Sequence, residues 1–216
     1  MFRPQQVDEL ARSQHWYLVP EDLCYYFCEY TSRVGFAHSD VNSFISNFKK
    51  PVARRHLAEY KYKDQAIARA INMLRQVLTT QKPEFWTETT FVPIPPSKKP
   101  QHPEYDDRVW RVVQGVCAGT AGSARELLRQ SDSYSASHAQ HDGERIKPAE
   151  LAKLYTVDDE TAPRARVVLI DDVLTTGCHF RAAKDVITNR WPASQVIGFF
   201  LARVARPDPI VDFEAL

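Results

Sequence analysis

Two stretches of this chain, RVVLID at 166–171 and SQVIGFFLARV at 194–204, are apolar at consecutive positions, not at alternate ones. A strand with one wet face alternates, so a strand that is apolar on both faces has to be covered on both. Between the two runs, CHFRAAKDVITNR sets Phe180, Ala183 and Ile187 on one side of a helix that starts around Gly177 and ends before Trp191 and Pro192. Strand, helix and strand in that order predict a parallel α/β sheet. With 216 residues, 44% of them hydrophobic, the chain is long enough to bury a sizeable core, and one domain with an appendage is expected.

The remaining segments fit around that unit. DQAIARAINMLRQVL, from Asp64, places Ile67, Ile71, Leu74 and Leu78 on one helical face, with Asp64 as the expected N-cap. TTFVPIPP at 89–96 reads as a strand that ends near Ile94, where prolines halt it, and opens into a loop beginning SKKP. DDRVWRVVQGVCA at 106–118 repeats valine at helical spacing, with two aspartates at its start. Residues 129–147, RQSDSYSASHAQHDGERIK, carry almost no aliphatics and read as a long surface loop, and LAKLYTVDD after it reads as a strand. Residues 1–60 are rich in aromatics and show neither a helical nor a strand period, which suggests a cap.

Composition excludes several classes. A net charge of +1 gives no field for nucleic acid or membranes, so any basic site has to be local. No stretch approaches the roughly 20 apolar residues of a membrane span, and MFRPQQVDELARSQ opens the chain with polar residues. Cys24, Cys28, Cys117 and Cys178 form no C-x-x-C pair, and a cytoplasmic protein with free thiols is the expectation. Cys24 and Cys28 with His38 make too few ligands for a closed zinc site.

The chemistry concentrates at 167–177, VVLIDDVLTTG. A buried strand that runs into Asp171 and Asp172 and then into Thr175, Thr176 and Gly177 at a helix start sets its loop at the carboxyl edge of the sheet, where open α/β folds bind ligands. The threonine hydroxyls, the glycine and the free N–H groups of the helix start form a phosphate cradle. The two acids repel phosphate and suit sugar hydroxyls or a metal ion beside it, so the implied ligand is a ribose 5-phosphate. Replacing both acids with asparagine is expected to remove binding and leave the fold intact. The plain alternative is that the acids only end a strand and TTG only turns the chain.

VVLIDDVLTTG resembles the phosphoribosyl diphosphate (PRPP) signature of type I phosphoribosyltransferases, and the wider pattern is similar to the competence-associated ComF group. EYKYKDQAIA at 59–68, VPIPPSKK at 92–99 and GER at 143–145 stand where that group has a basic segment before a helix, a strand with a basic loop, and an arginine motif. The resemblance covers roughly residues 57–206. It implies a type I phosphoribosyltransferase-like parallel-sheet core over 57–216, with an aromatic-rich, α-rich cap or hood over 1–56.

It also implies that Asp171, Asp172, Val173, Leu174, Thr175, Thr176, Gly177, Cys178 and His179, with Ser97, Lys98 and Lys99 from the neighbouring loop, bind PRPP. Asp171, Asp172 and Arg145 are the expected catalytic residues, and Mg²⁺ is expected near the two acids, held indirectly. The implied reaction moves ribose 5-phosphate from PRPP to a nitrogen acceptor and releases pyrophosphate. Lys98 and Lys99 would neutralise the leaving group, while Arg145 would close over it. Thr175 stands where relatives handling oxopurines carry an acid, which disfavours that substrate class. His179 replaces a small hydroxyl of the family pattern, and its ring is expected either to donate to the phosphate, with a pKa raised in the complex, or to face solvent.

The rival readings are a catalytically silent PRPP or nucleotide sensor, or partner of a DNA-handling complex, and a structural protein with the site empty. A protein partner and a homodimer stand as partner expectations. VVLIDD also fits a Walker B strand, but none of the seven glycines begins a Walker A loop. His138 and His141 on the polar loop read as solvated histidines. Tyr60, Lys61, Tyr62 and Lys63 interleave charge and rings, and snorkelled lysines flanking a helix explain them better than a nucleic-acid clamp does.

Overall fold

The computed structural model describes residues 3–134 and 146–206. In chain order the strands are β1 (Gln5–Gln6), β2 (Leu23–Tyr30), β3 (Thr89–Pro93), β4 (Ser123–Ala124), β5 (Leu128–Gln130), β6 (Tyr155–Val157), β7 (Arg166–Leu174) and β8 (Gln195–Val204). The α-helices are α1 (Glu9–Arg12), α2 (Asp40–Phe48), α3 (Lys61–Leu78), α4 (Pro83–Thr87), α5 (Arg108–Cys117), α6 (Pro148–Ala152) and α7 (Cys178–Arg190). Six strands form one sheet in the order β1-β2-β8-β7-β3-β4, while β5 and β6 make a separate antiparallel pair. Within the large sheet only β1 runs antiparallel. The α/β expectation holds: the sheet is mostly parallel and flanked by helices.

Both faces of β7 are covered, as its unbroken apolar run requires. Val168 and Ile170 face a core built with α2, α3 and α5, from Phe44, Phe48, Met73, Leu74, Val112 and Val116. Val167 and Leu169 face the opposite core with Phe180, Ala183 and Ile187 of α7 and Leu151 of α6. Burying Phe180 or Ile187 is worth about 1.5–3 kcal/mol each, and this fixes the start of α7 against the sheet. On the other side α5 crosses α3 so closely that a Cβ at Gly115 would stand 2.3 Å from Ile71 Cδ1.

Residues 1–56 depart from the expected α-rich cap, because β1 and β2 belong to the sheet itself. β2 pairs with β8 in register from Leu23 with Ile197 to Tyr30 with Val204. Its period was hidden because both faces are apolar: Cys24 and Tyr26 join one core, Tyr25 and Phe27 the other. Helix α3 begins at Lys61, ahead of the expected Asp64 cap, and Asp64 sits in the first turn, paired with Arg111 of α5 at 2.7 Å. A carboxylate there complements the helix dipole without capping. The polar stretch expected at 129–147 begins later, since β5 runs to Gln130, and α6 starts at Pro148 directly after it, while β6 takes only Tyr155–Val157 of LAKLYTVDD. No described helix is long and apolar enough to cross a membrane.

Candidate functional site

Strand β7 does not stop at the two acids; it carries them and continues to Leu174. Alternation therefore sends Asp171 and Asp172 to opposite faces of the sheet. This separation divides their roles, which the sequence had treated as one.

Asp172 turns toward α5 and is buried, with only 6% of its side chain exposed. Its Oδ2 accepts from Arg108 Nε at 3.0 Å and Nη2 at 2.6 Å, and its Oδ1 accepts from Lys49 Nζ at 3.2 Å. Arg108 Nη1 donates in turn to Asp106 at 2.6 Å, and Asp106 also accepts from Lys63 Nζ at 2.7 Å. Lys63 is 1% exposed and donates further to the carbonyls of Phe48 at 3.1 Å and Lys50 at 2.8 Å. These are the residues on either side of Lys49, so the contacts close into a ring: Asp172, Arg108, Asp106, Lys63, the end of α2, Lys49, and back to Asp172. Burial alone would raise the Asp172 pKa, but Lys49 and Arg108 outweigh it and hold the carboxyl below the ordinary range. Lys63 is thus neither a snorkelled surface lysine nor part of a nucleic-acid clamp.

Asp171 lies on the face that carries α7, near Tyr134 and Tyr155. Its Oδ1 accepts from the Asp172 backbone N–H at 2.7 Å, and no cation pairs with it among the described residues. Burial, and then the adjacent Asp172 charge, raise its pKa. An acid raised in the native state costs stability once it ionises. The penalty is absent below about pH 4, where an ordinary aspartate titrates, and is complete above the raised native value. Asp171→Asn removes it, so the variant's stability is expected to fall less than the wild type's as pH rises from about 4 to 7. Urea unfolding across that range measures this, and parallel pH profiles for the two proteins would show that Asp171 carries no such penalty.

The loop from Thr175 to Gly177 is anchored from behind by the N-terminal segment. His15 Nδ1–H donates to the Thr175 carbonyl, and Tyr17 N–H donates to the Thr176 carbonyl at 3.0 Å. Arg181 of α7 reaches the Tyr17 carbonyl at 3.1 Å and, with Lys184, the buried Asp22 at 2.5 and 2.7 Å. Gly177 has φ +82°, the left-handed region, which turns the chain into α7. The first N–H groups of α7 have no carbonyl within the helix to donate to. Of the two expected hydroxyls, Thr175 is exposed, whereas Thr176 is buried and its Oγ1 accepts from Cys178 N–H at 3.4 Å. Val173, Leu174 and Cys178 are buried, so their side chains belong to the core.

The loop after β3 arrives at the same edge, since β3 pairs with β7 up to Pro93 with Ile170 and Ile94 N–H donates to the Ile170 carbonyl at 2.9 Å. Residues 131–134 tie it down. Tyr134 N–H donates to the Ser97 carbonyl at 3.1 Å, and Lys99 N–H to Ser133 Oγ at 3.1 Å. Lys99 Nζ pairs with exposed Asp132 at 3.3 Å, while Lys98 has no polar partner among the described residues. The Tyr134 phenol then spans to His179 Nε2 at 3.0 Å, bridging the β3 loop and the start of α7. Burial pushes the His179 pKa down to about 4, so without ligand the ring is neutral at pH 7. The expected rise concerns a complex with phosphate. Tyr155 is buried nearby, with its hydroxyl unpartnered among the described residues.

Arg145, His138 and His141 lie outside the described residues. Lys49, Lys63, Asp106, Arg108, Tyr134 and Tyr155 were not singled out by sequence as site residues. The available signal was weak: FKKPVARR at 48–55 is a local basic run, and Arg108 follows two aspartates. When the chain is compared with known proteins, no family model matches it and no curated protein matches it either.

Proposed function

We propose that this protein binds PRPP through a type I phosphoribosyltransferase-like site and transfers its ribose 5-phosphate to a nitrogen acceptor, releasing pyrophosphate. One observation carries the reading: Asp171, a carboxylate with no cation partner among the described residues, stands on the strand whose next turn, through a left-handed Gly177, opens the 13-residue helix α7. That pairing suits a ligand with sugar hydroxyls next to a phosphate. The N–H groups at the start of α7, which have no acceptor within the helix, receive the phosphate, Asp171 accepts from ribose hydroxyls, and the exposed Thr175 hydroxyl donates beside it. Lys98 and Lys99, on the adjoining loop, face the leaving diphosphate. His179 has to exchange its bond with Tyr134 for the phosphate if its ring is to take part.

Among the described residues no three His, Cys, Asp or Glu side chains gather as a metal site. With Asp172 engaged by two cations, the donor set fits a Mg²⁺ that is bound mainly by the ligand's own phosphates, with Asp171 near it through water. Such an ion would supply charge neutralisation of the departing pyrophosphate. A nucleotide sensor without turnover is the second reading, favoured by the engagement of Asp172, which removes one of the two acids from the ligand.

Calorimetric titration with PRPP and Mg²⁺ tests binding. The wild type is expected to bind, and Asp171→Asn to lose about tenfold or more in affinity, the worth of hydrogen bonds to a charged group. No heat and no thermal shift with PRPP in the wild type would falsify the proposal. Pyrophosphate release with candidate bases then separates an enzyme from a sensor.

A further inference from the structure

Lys49 caps the C-terminal end of α2, and its side chain is 42% exposed while its ammonium rests on Asp172 Oδ1 at 3.2 Å. Arg108 places both of its bonds on the other oxygen, Oδ2. Asp172 is therefore already anchored without Lys49, and of its two cation partners among the described residues Lys49 is the more exposed, at 42% against 17% for Arg108. The ammonium is also near enough for its charge to act on Asp171 and on His179. Its backbone, by contrast, is held firmly: buried Lys63 grips the carbonyls before and after it. A fixed base with a partly exposed ammonium is an arrangement for reaching a ligand.

We propose that Lys49 is an anion-binding residue of this site, which leaves Asp172 Oδ1 for the ligand's phosphates and thereby opens that oxygen to the ligand's hydroxyl donors. The inference rests on the reading that the site takes a phosphorylated ligand. In the unliganded protein the ammonium fills the place of a donor on Asp172. A bound diphosphate draws it off, and Arg108, Asp106 and Lys63 keep the carboxylate and the α2 end in position meanwhile. The N-terminal segment is then a contributor to binding as well as to the sheet. Lys98 and Lys99 approach from the β3 loop and Lys49 from the end of α2, so the anion meets cations from two directions.

The test uses the full chain with two probes, PRPP and inorganic pyrophosphate, each with Mg²⁺. Lys49→Gln is expected to weaken both by about tenfold to a hundredfold, the range for losing one charge-assisted hydrogen bond. Lys49→Arg is expected to stay within a few fold of wild type. Because Arg108 still holds Asp172, Lys49→Gln is expected to melt within a few degrees of wild type. Lys82→Gln, an exposed lysine ahead of α4 at the amino edge of the sheet, is the control and is expected to change nothing. Amine-modification footprinting adds a readout that a purely structural lysine would not move: saturating PRPP is expected to protect Lys49 and not Lys82. If PRPP binds wild type and Lys49→Gln equally and leaves Lys49 modification unchanged, the assignment falls and PRPP binding stands. If pyrophosphate binding depends on Lys49 while PRPP does not bind, the assignment stands and the proposed function falls. Wild type binding neither probe overturns both.

Discussion

Asp172→Ala is expected to cost about 3–5 kcal/mol of folding stability, the range for removing one partner of a buried ion pair. The substitution strips Arg108 of two hydrogen bonds at 2.6 and 3.0 Å and leaves that guanidinium, 17% exposed, with Asp106 as its carboxylate partner. It also releases Lys49 and so loosens the ring through which Lys63 holds the end of α2. Against a typical total of about 5–15 kcal/mol for a protein of this kind, a loss of that size lowers the urea midpoint sharply. Asp171→Ala on the same strand removes no ion pair seen among the described residues and removes a charge that burial disfavours, so it is expected to cost less than about 1 kcal/mol. Circular dichroism in a urea series compares the two. Equal losses would show that the ring does not anchor the fold. In place of one outcome for both acids, an intact fold is thus expected on replacing Asp171 and a marked loss of stability on replacing Asp172.

The difference between those neighbours explains what the sequence could and could not show. That the pair matters, and that it sits next to a helix start, was legible because VVLI has to be buried and TTG has to turn. Which acid faces the ligand was not legible, because it depends on what the two sheet faces carry. Asp172 meets Arg108, 64 residues earlier, and Lys49, 123 residues earlier, and no local pattern connects them. β2 is not legible for a related reason: a strand shows itself in sequence by polar alternation, and Tyr25, Tyr26 and Phe27 are needed on both faces. Helices α5 and α7 were legible because their apolar stripes stand against polar opposite faces. Thr176 shows the limit at single-residue scale, since a hydroxyl in a phosphate-type loop also serves as a local acceptor for the helix it precedes.

Gly177→Ala is expected to cost about 2–4 kcal/mol, the sum of a left-handed backbone penalty and a steric one. At φ +82° an alanine pays roughly 1–2 kcal/mol for its Cβ against the backbone. That Cβ would also stand 2.8 Å from Leu18 Cδ2, 3.0 Å from its Cγ and 3.4 Å from its backbone nitrogen. Leu18 is buried against the α7 core, and its chain neighbour Tyr17 is bonded to the Thr176 carbonyl and to Arg181, so it cannot swing aside freely. Gly119 provides the comparison: its φ is +72°, yet a Cβ there meets nothing within 4 Å. Gly119→Ala therefore isolates the backbone penalty, about 1–2 kcal/mol, and the excess at Gly177 measures the Leu18 contact. Truncating the neighbour in the double variant Leu18→Ala, Gly177→Ala is expected to cost less than the two single changes added together. Strict additivity, or equal losses at the two glycines, would mean that the N-terminal segment does not press on this turn. The same strain turns the first N–H groups of α7 away from their common focus, so phosphate affinity is expected to fall at Gly177 and to stay unchanged at Gly119.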